Sequence, residues 1–109
     1  MSLFSLFGKN NLARGLAEYE AEANAVLLDV RTKEEYFERR IPGSRNVPVD
    51  EIGRVKFVVP DVTTPVYLYC RTGNRSSQAA NIMKKLGYTN VKNIGGIQGY
   101  RGRTEGGPR

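Results

Sequence analysis

Histidine and tryptophan are absent from these 109 residues, and cysteine occurs once, at Cys70. Without histidine there is no His-based metal site and no imidazole to take a proton from a nucleophile. Papain-like proteolysis needs a Cys–His pair, so that chemistry is excluded. A single cysteine gives no internal disulfide, no Cys-x-x-Cys redox pair and no second thiol to resolve an oxidised first one. No apolar run approaches the roughly 20 residues of a membrane span. The opening Met1-Ser2-Leu3-Phe4-Ser5-Leu6-Phe7 is too short for a secretory signal and lacks its charged start. No G-x-G-x-x-G follows a strand, and there is no P-loop lysine motif, so no nucleotide or flavin site is indicated. Neither a metal nor a cofactor is expected, and the cytoplasm is the expected location.

Charge is the next bound. Seventeen Lys and Arg against eleven Asp and Glu give a net charge of +6. Such a balance suits nucleic acid, an anionic membrane or anionic small molecules. The basic residues are dispersed, however: Arg39-Arg40 and Lys84-Lys85 are the only adjacent pairs. No aromatic–basic motif of an RNA-binding sheet is present, and no Cys/His zinc-finger spacing. The charge reads as solubility plus steering of small anions, with no nucleic acid and no membrane as partner.

The chain has one stretch dense in chemistry, Pro65 to Ser77, P-V-Y-L-Y-C-R-T-G-N-R-S-S. Val66, Tyr67, Leu68 and Tyr69 form a β-branched and aromatic run that predicts a buried strand. Cys70 stands at its end, and the loop Arg71-Thr72-Gly73-Asn74-Arg75 follows. Ser76-Ser77 opens a helical pattern, with Ala79, Ile82, Met83 and Leu86 on one face. Lys84 and Lys85 suit its last turn and Gly87 its C-cap. A loop closing onto a helix N-terminus turns backbone N–H groups inward, where the dipole also favours negative charge. A cysteine at the bottom of that cradle is expected to have a lowered pKa. Arg75 is placed to hold an oxyanion in a bidentate fork. Ser76 is the expected cap of the helix.

The flanks alternate helix and strand, which argues for an α/β domain with a mainly parallel sheet and helices on both faces. Leu3 to Phe7 alternates weakly; an edge strand and a flexible, sticky terminus are its two readings. Asn10 or Asn11 is placed to cap a helix with Leu12, Leu16, Tyr19 and Ala23 on one face. Gly15 weakens that helix slightly. Val26 to Arg31 reads as a strand covered on both faces. Thr32 and Glu35 fit a capping box. Arg45 to Val47 predicts a short strand, Val49 to Phe57 a short helix, and Val91 to Ile94 a final strand before the sharp turn Gly95-Gly96. The chain therefore divides into a segment 1–11, a domain 12–100 and a Gly/Arg-rich tail 101–109, whose expected state is a frayed terminus.

Four stretches resemble the rhodanese family of sulfurtransferases. Cys70 to Arg75 is C-x4-R, the family's loop length; tyrosine phosphatases use a loop one residue longer, and the smaller cradle suits a sulfur atom better than a phosphate tetrahedron. D-V-R-T-K-E-E-Y from Asp29 is similar to the family's D-V-R-x-x-x-E-Y. I-P-G-S-R-N-V-P from Ile41 is similar to its H-I-P-G-A-x-N-I-P, with Arg40 where many members have histidine. The ending V-K-N-I-G-G-I-Q-G-Y resembles its C-terminal signature, which closes in G-G-x-x-x-W, with Tyr100 in the tryptophan position near the site's rim.

The resemblance implies a five-stranded parallel sheet with the Cys loop at the strands' C-terminal edge, the usual ligand position in open α/β sheets. It implies a sulfurtransferase in which Cys70 carries a persulfide. The amides of Arg71, Thr72, Gly73, Asn74 and Arg75 would stabilise its charge. Asp29, Arg31 and Glu35 would brace the loop from behind. The implied partners are small anionic sulfur donors (thiosulfate, polysulfide, a persulfide), a thiol or cyanide acceptor, and a sulfur-trafficking protein. Two other readings remain: a sulfur carrier or partner-docking module without turnover, and a phosphatase or arsenate reductase on the same fold.

Overall fold

The computed structural model describes residues 2–107, with side chains from Leu12 onward. The elements follow as α1 (Ser2–Ala21), β1 (Val26–Asp29), α2 (Lys33–Glu38), β2 (Arg45–Asn46), a 3-10 segment (Val49–Phe57), β3 (Val66–Cys70), α3 (Asn74–Lys85) and β4 (Val91–Gly96). The strands form one parallel sheet in the order β2-β1-β3-β4. Helices cover both faces, as the alternating pattern predicts.

Side-chain alternation along the strands sorts the core into two layers. Leu28, Val30, Val66, Leu68 and Cys70 face one way, against Ile52 and Val55 of the 3-10 segment and Ala79, Ala80 and Met83 of α3. Leu27, Tyr67 and Tyr69 face the other way, against Leu12 and Leu16 of α1 and Ile94 of β4. Cys70 is thus a strand residue whose side chain leans toward the α3 face. All five residues of β3 are buried, which fits a central strand read as a continuous apolar run.

The sheet has four strands among the described residues, not five. Leu3 to Phe7, read as a candidate edge strand, is helical backbone at the start of α1. A helix satisfies its own backbone groups, whereas a five-residue strand needs a partner edge. Asn10 and Asn11, read as candidate caps, lie inside α1 rather than at its start. The α2 capping box is present in full: Thr32 Oγ1 accepts from Glu35 N at 3.1 Å, and Glu35 Oε1 accepts from Thr32 N at 2.9 Å. α3 carries Lys84 and Lys85 in its last turn, and Gly87 follows at φ 104°, as expected of a C-terminal stop.

The tail also differs from expectation. Arg101 to Gly107 is not frayed but returns over α2. Arg40 and Glu105 exchange backbone hydrogen bonds of 2.8 and 2.9 Å in an antiparallel bridge, and Gly107 N donates to Phe37 O at 2.8 Å. The anchor is Arg40, the residue at the family's histidine position. Its guanidinium stacks over the Tyr36 ring at 5.2 Å and pairs with Glu105 at 3.3 Å.

Gly15 is a packing residue, not only a weak point in a helix. A Cβ there would lie 2.3 Å from Ile94 Cβ. Alanine would raise helix propensity by about 1 kcal/mol, but overpacking costs about 1–3 kcal/mol. The second effect wins because the clash is with a branched Cβ fixed to a strand. Gly15→Ala is therefore expected to lower the thermal midpoint; a midpoint at or above the native value would show that α1 shifts away from β4 freely.

Candidate active site

Cys70 ends β3 at the C-terminal edge of the sheet, and the chain turns at once into α3. Gly73 makes the turn at φ 104°, a left-handed conformation that favours glycine. This turn aims backbone donors at the sulfur. Gly73 N donates to Cys70 Sγ at 3.0 Å, and Ser76 Oγ lies 3.4 Å from it. Burial alone would push the thiol pKa up. The Ser76 hydroxyl and the amides of Ser76, Gly73 and Thr72 outweigh it and hold the thiol below its ordinary range. The dipole of a twelve-residue helix points the same way. These donors favour the anionic form of the sulfur without a base beside it.

Ser76 is not the helix cap. α3 begins at Asn74 with Gly73 in the cap position and no side-chain capping bond. Ser76 sits in the first turn, fully buried, with its hydroxyl toward the sulfur. The sequence brings the right residue to the site in a different role.

Arg75 is also engaged differently. Its fork closes on Glu35, with Nη1–Oε1 at 2.8 Å and Nη2–Oε2 at 3.1 Å. The contact draws the Glu35 pKa down to about 2, with Arg75 the leading cause, and holds Arg75 above its ordinary value. Glu35 accepts from both Thr32 N and Arg75, so it ties the start of α2 to the start of α3. Arg71, by contrast, is exposed, and no ion pair involves it among the described residues. Thr72 and Asn74 are exposed on the same loop.

Asp29 and Arg31 form a buried pair, with Arg31 Nη2 2.6 Å from Asp29 Oδ2. Arg31 also donates to the Arg39 carbonyl and lies over the Tyr69 ring, its Cζ 5.8 Å from the centroid. The pair therefore fixes the end of β1 and the exit of α2. It reaches the Cys strand only through Tyr69, whereas Glu35 touches the loop's own Arg75.

Two contributors had no clear signal in the sequence. Asn93 on β4 donates from Nδ2 to Gly73 O at 3.1 Å and accepts at Oδ1 from Gly95 N at 3.0 Å. Gly96 supports the loop from the side, where a Cβ would lie 2.2 Å from Arg71 O. Beyond it, Ile97 N and Gln98 N donate to the carbonyls of Cys70 and Arg71 at 2.9 and 3.0 Å. Gly95-Gly96 looked like a turn signal; it is a close approach of two backbones. Beside the loop lies a groove of about 800 Å³ lined by Arg71, Thr72, Gln98, Tyr100 and Arg101, among others. Tyr100 lines this groove together with the loop residues Arg71 and Thr72. Among the described residues no cluster of His, Cys, Asp and Glu could hold a metal, and no helix is long and apolar enough to cross a membrane.

A single thiol in an amide-lined loop, between a central parallel strand and a helix N-terminus, defines a cysteine-centred candidate site on an α/β domain. The chain belongs to the rhodanese-like family: the model of the Rhodanese-like domain matches residues 12–103. It is 39% identical over 72 residues to thiosulfate sulfurtransferase PspE of Escherichia coli K12, covering 65% of this chain and 69% of that one. Over 89 residues it is 32% identical to human thiosulfate:glutathione sulfurtransferase, covering 70% of this chain and 77% of that one. A solved structure, a rhodanese with anions from E. coli, superposes with a TM-score of 0.70 at 33% identity, covering 76% of this chain and 99% of that one.

Proposed function

We propose that this chain is a sulfurtransferase that carries a sulfane sulfur on Cys70. The observation that carries the reading is the sulfur's setting: Gly73 N at 3.0 Å, Ser76 Oγ at 3.4 Å, and a helix N-terminus beneath. Cys70 thiolate attacks the outer sulfur of a small anionic donor such as thiosulfate. The donor's S–S bond breaks, sulfite leaves with the electron pair, and Cys70 becomes a persulfide. Its negative charge falls on the outer sulfur, within reach of the inward-turned amides. A thiol or cyanide then attacks that sulfur and Cys70 leaves as thiolate, so the cycle is ping-pong and needs no external redox agent.

The anionic part of the donor is held by Arg71 and the neighbouring Arg101, which line the groove beside the loop. Arg75 serves instead to fix the loop, because its fork is already filled by Glu35. That engagement, with the short loop, also disfavours a phosphatase, which needs a guanidinium open to phosphate.

The test is intact mass of the reduced protein after thiosulfate, with and without cyanide. One added sulfur, lost on cyanide treatment, is expected. No added sulfur from thiosulfate or from polysulfide would overturn the reading and favour a module that works only with a protein partner.

A further inference from the structure

We propose that Asn93 is a positioning residue that decides where the Ser76 hydroxyl proton points, and through it how strongly the Cys70 sulfur is stabilised as an anion. The purpose assigned to it rests on the sulfur-transfer reading; the geometry does not.

Ser76 Oγ has one proton and three acceptors in range: Asn93 Oδ1 at 2.7 Å, Gly73 O at 3.1 Å and Cys70 Sγ at 3.4 Å. Gly73 O already receives Asn93 Nδ2 at 3.1 Å and Ser77 N at 3.0 Å, which fill its two lone pairs. The choice is therefore between Asn93 Oδ1 and Sγ. The orientation of the Asn93 amide is fixed by its partners, since Gly95 N–H needs an acceptor and the Gly73 carbonyl a donor. Oδ1 thus faces Ser76 with its second lone pair open.

Both positions have a use. While Cys70 is a neutral thiol, the Ser76 proton rests on Asn93 Oδ1, at the usual O–H···O distance. When the sulfur becomes a thiolate, or a persulfide with its charge close by, the hydroxyl rotates about Cβ–Oγ and donates to Sγ. No bond breaks and no proton leaves Ser76. Asn93 Oδ1 keeps its bond from Gly95 N in either state, so it releases the proton without being stranded. Ser76 is buried, which keeps bulk water from the contest at the hydroxyl itself.

The other charges around Cys70 are fixed by pairing. Arg75 of α3 pairs with Glu35 of α2, and Glu35 is held at about 2, so it stays ionised. Asp29 and Arg31 pair at the end of β1, and β4 brings Lys92, paired with Glu18 at 3.5 Å. Arg71, exposed on the loop, is the exception, with no ion pair among the described residues. Burial pushes the Tyr69 phenol up, out of the working range. Cys70, held below its ordinary range, is then the group whose titration the experiment follows.

The experiment is a double-mutant cycle read by the pH dependence of Cys70 alkylation with iodoacetamide. It uses the native chain, Asn93→Leu, Ser76→Ala and the double variant. Leucine keeps the volume and removes the acceptor. Loosening of the loop and the orphaned Gly95 N–H are common to both backgrounds and cancel. Releasing the Ser76 proton to the sulfur is worth about one neutral hydrogen bond, or about half a pH unit. Asn93→Leu is therefore expected to move the alkylation midpoint about half a unit lower in the Ser76 background than in the Ser76→Ala background. Equal shifts in the two backgrounds, or a difference of opposite sign, would overturn the assignment. Alkylation needs no sulfur donor, so a failure of the sulfurtransferase reading would leave this result standing and separately legible.

Discussion

Cys70→Ser is expected to keep the fold and lose sulfur loading completely. Serine differs from cysteine by one atom, and the donors that hold Sγ, Gly73 N–H and the Ser76 hydroxyl, can hold Oγ equally well. The site is fully buried on the α3 side of the sheet, and an oxygen there keeps its hydrogen bonds, so the thermal midpoint stays near the native one. Reactivity does not survive. A serine hydroxyl becomes a nucleophile only with a base beside it, and this chain has no histidine. No second cysteine can substitute. The expected result is a native melt, no added sulfur after thiosulfate and no thiocyanate from cyanide. Sulfur uptake by this variant would place the nucleophile elsewhere and end the mechanism. In the native protein the same argument fixes the sign of the pH profile. The thiolate is the attacking species and the thiol pKa is lowered in the fold. Loading is therefore constant above that pKa and falls as pH drops through it, at a pH below that at which a free cysteine loses reactivity.

The sequence made the centre of the fold legible because one physical signal dominated each part of it. β3 is buried on both faces and reads as an unbroken apolar run. α2 announces itself by a capping box whose two bonds are both present. The Cys loop lies in consecutive residues, so its chemistry needs no knowledge of tertiary structure. Legibility fails where a role depends on a partner far along the chain. Arg75 looked free to hold an anion because Glu35, forty residues away, could not be placed against it. Ser76 looked like a cap because Ser at a helix start usually is one; its alternative partner is a sulfur across the turn. Asn93 carried no signal, since an asparagine in a strand is unremarkable until the loop lies beside it. The tail from Arg101 had the composition of a disordered end. Yet Glu105 meets Arg40 and the chain pairs there. The first helix is the reverse case: a weak period-two pattern in Leu3 to Phe7 suggested a strand, and continuation of α1 through it prevailed.

Gly96→Ala is expected to lower turnover about a hundredfold, the scale of a misplacement of about 1 Å at a reacting centre. A Cβ at this position would stand 2.2 Å from Arg71 O, 2.6 Å from Arg71 C and 2.6 Å from Thr72 Cα. All three are backbone atoms, so no rotamer change relieves the contact. Either the end of β4 or the Cys loop must move. β4 is held through its pairing with β3, and Ile97 N and Gln98 N bond the carbonyls of Cys70 and Arg71. The loop is the weaker side, because its turn depends on one left-handed glycine, Gly73, where a Cβ would lie 3.6 Å from Gly95 Cα. Shifting Arg71 and Thr72 moves the amides that face Sγ. The thiol pKa should then rise, because burial remains while its compensating donors are lost. The variant is thus expected to show a higher alkylation midpoint together with the lost turnover. Overpacking also costs about 1–3 kcal/mol of stability. Turnover measured well below the melting transition separates loop displacement from unfolding. Native activity and a native alkylation midpoint in Gly96→Ala would mean that β4 yields instead, and that the loop holds its shape without support from that strand.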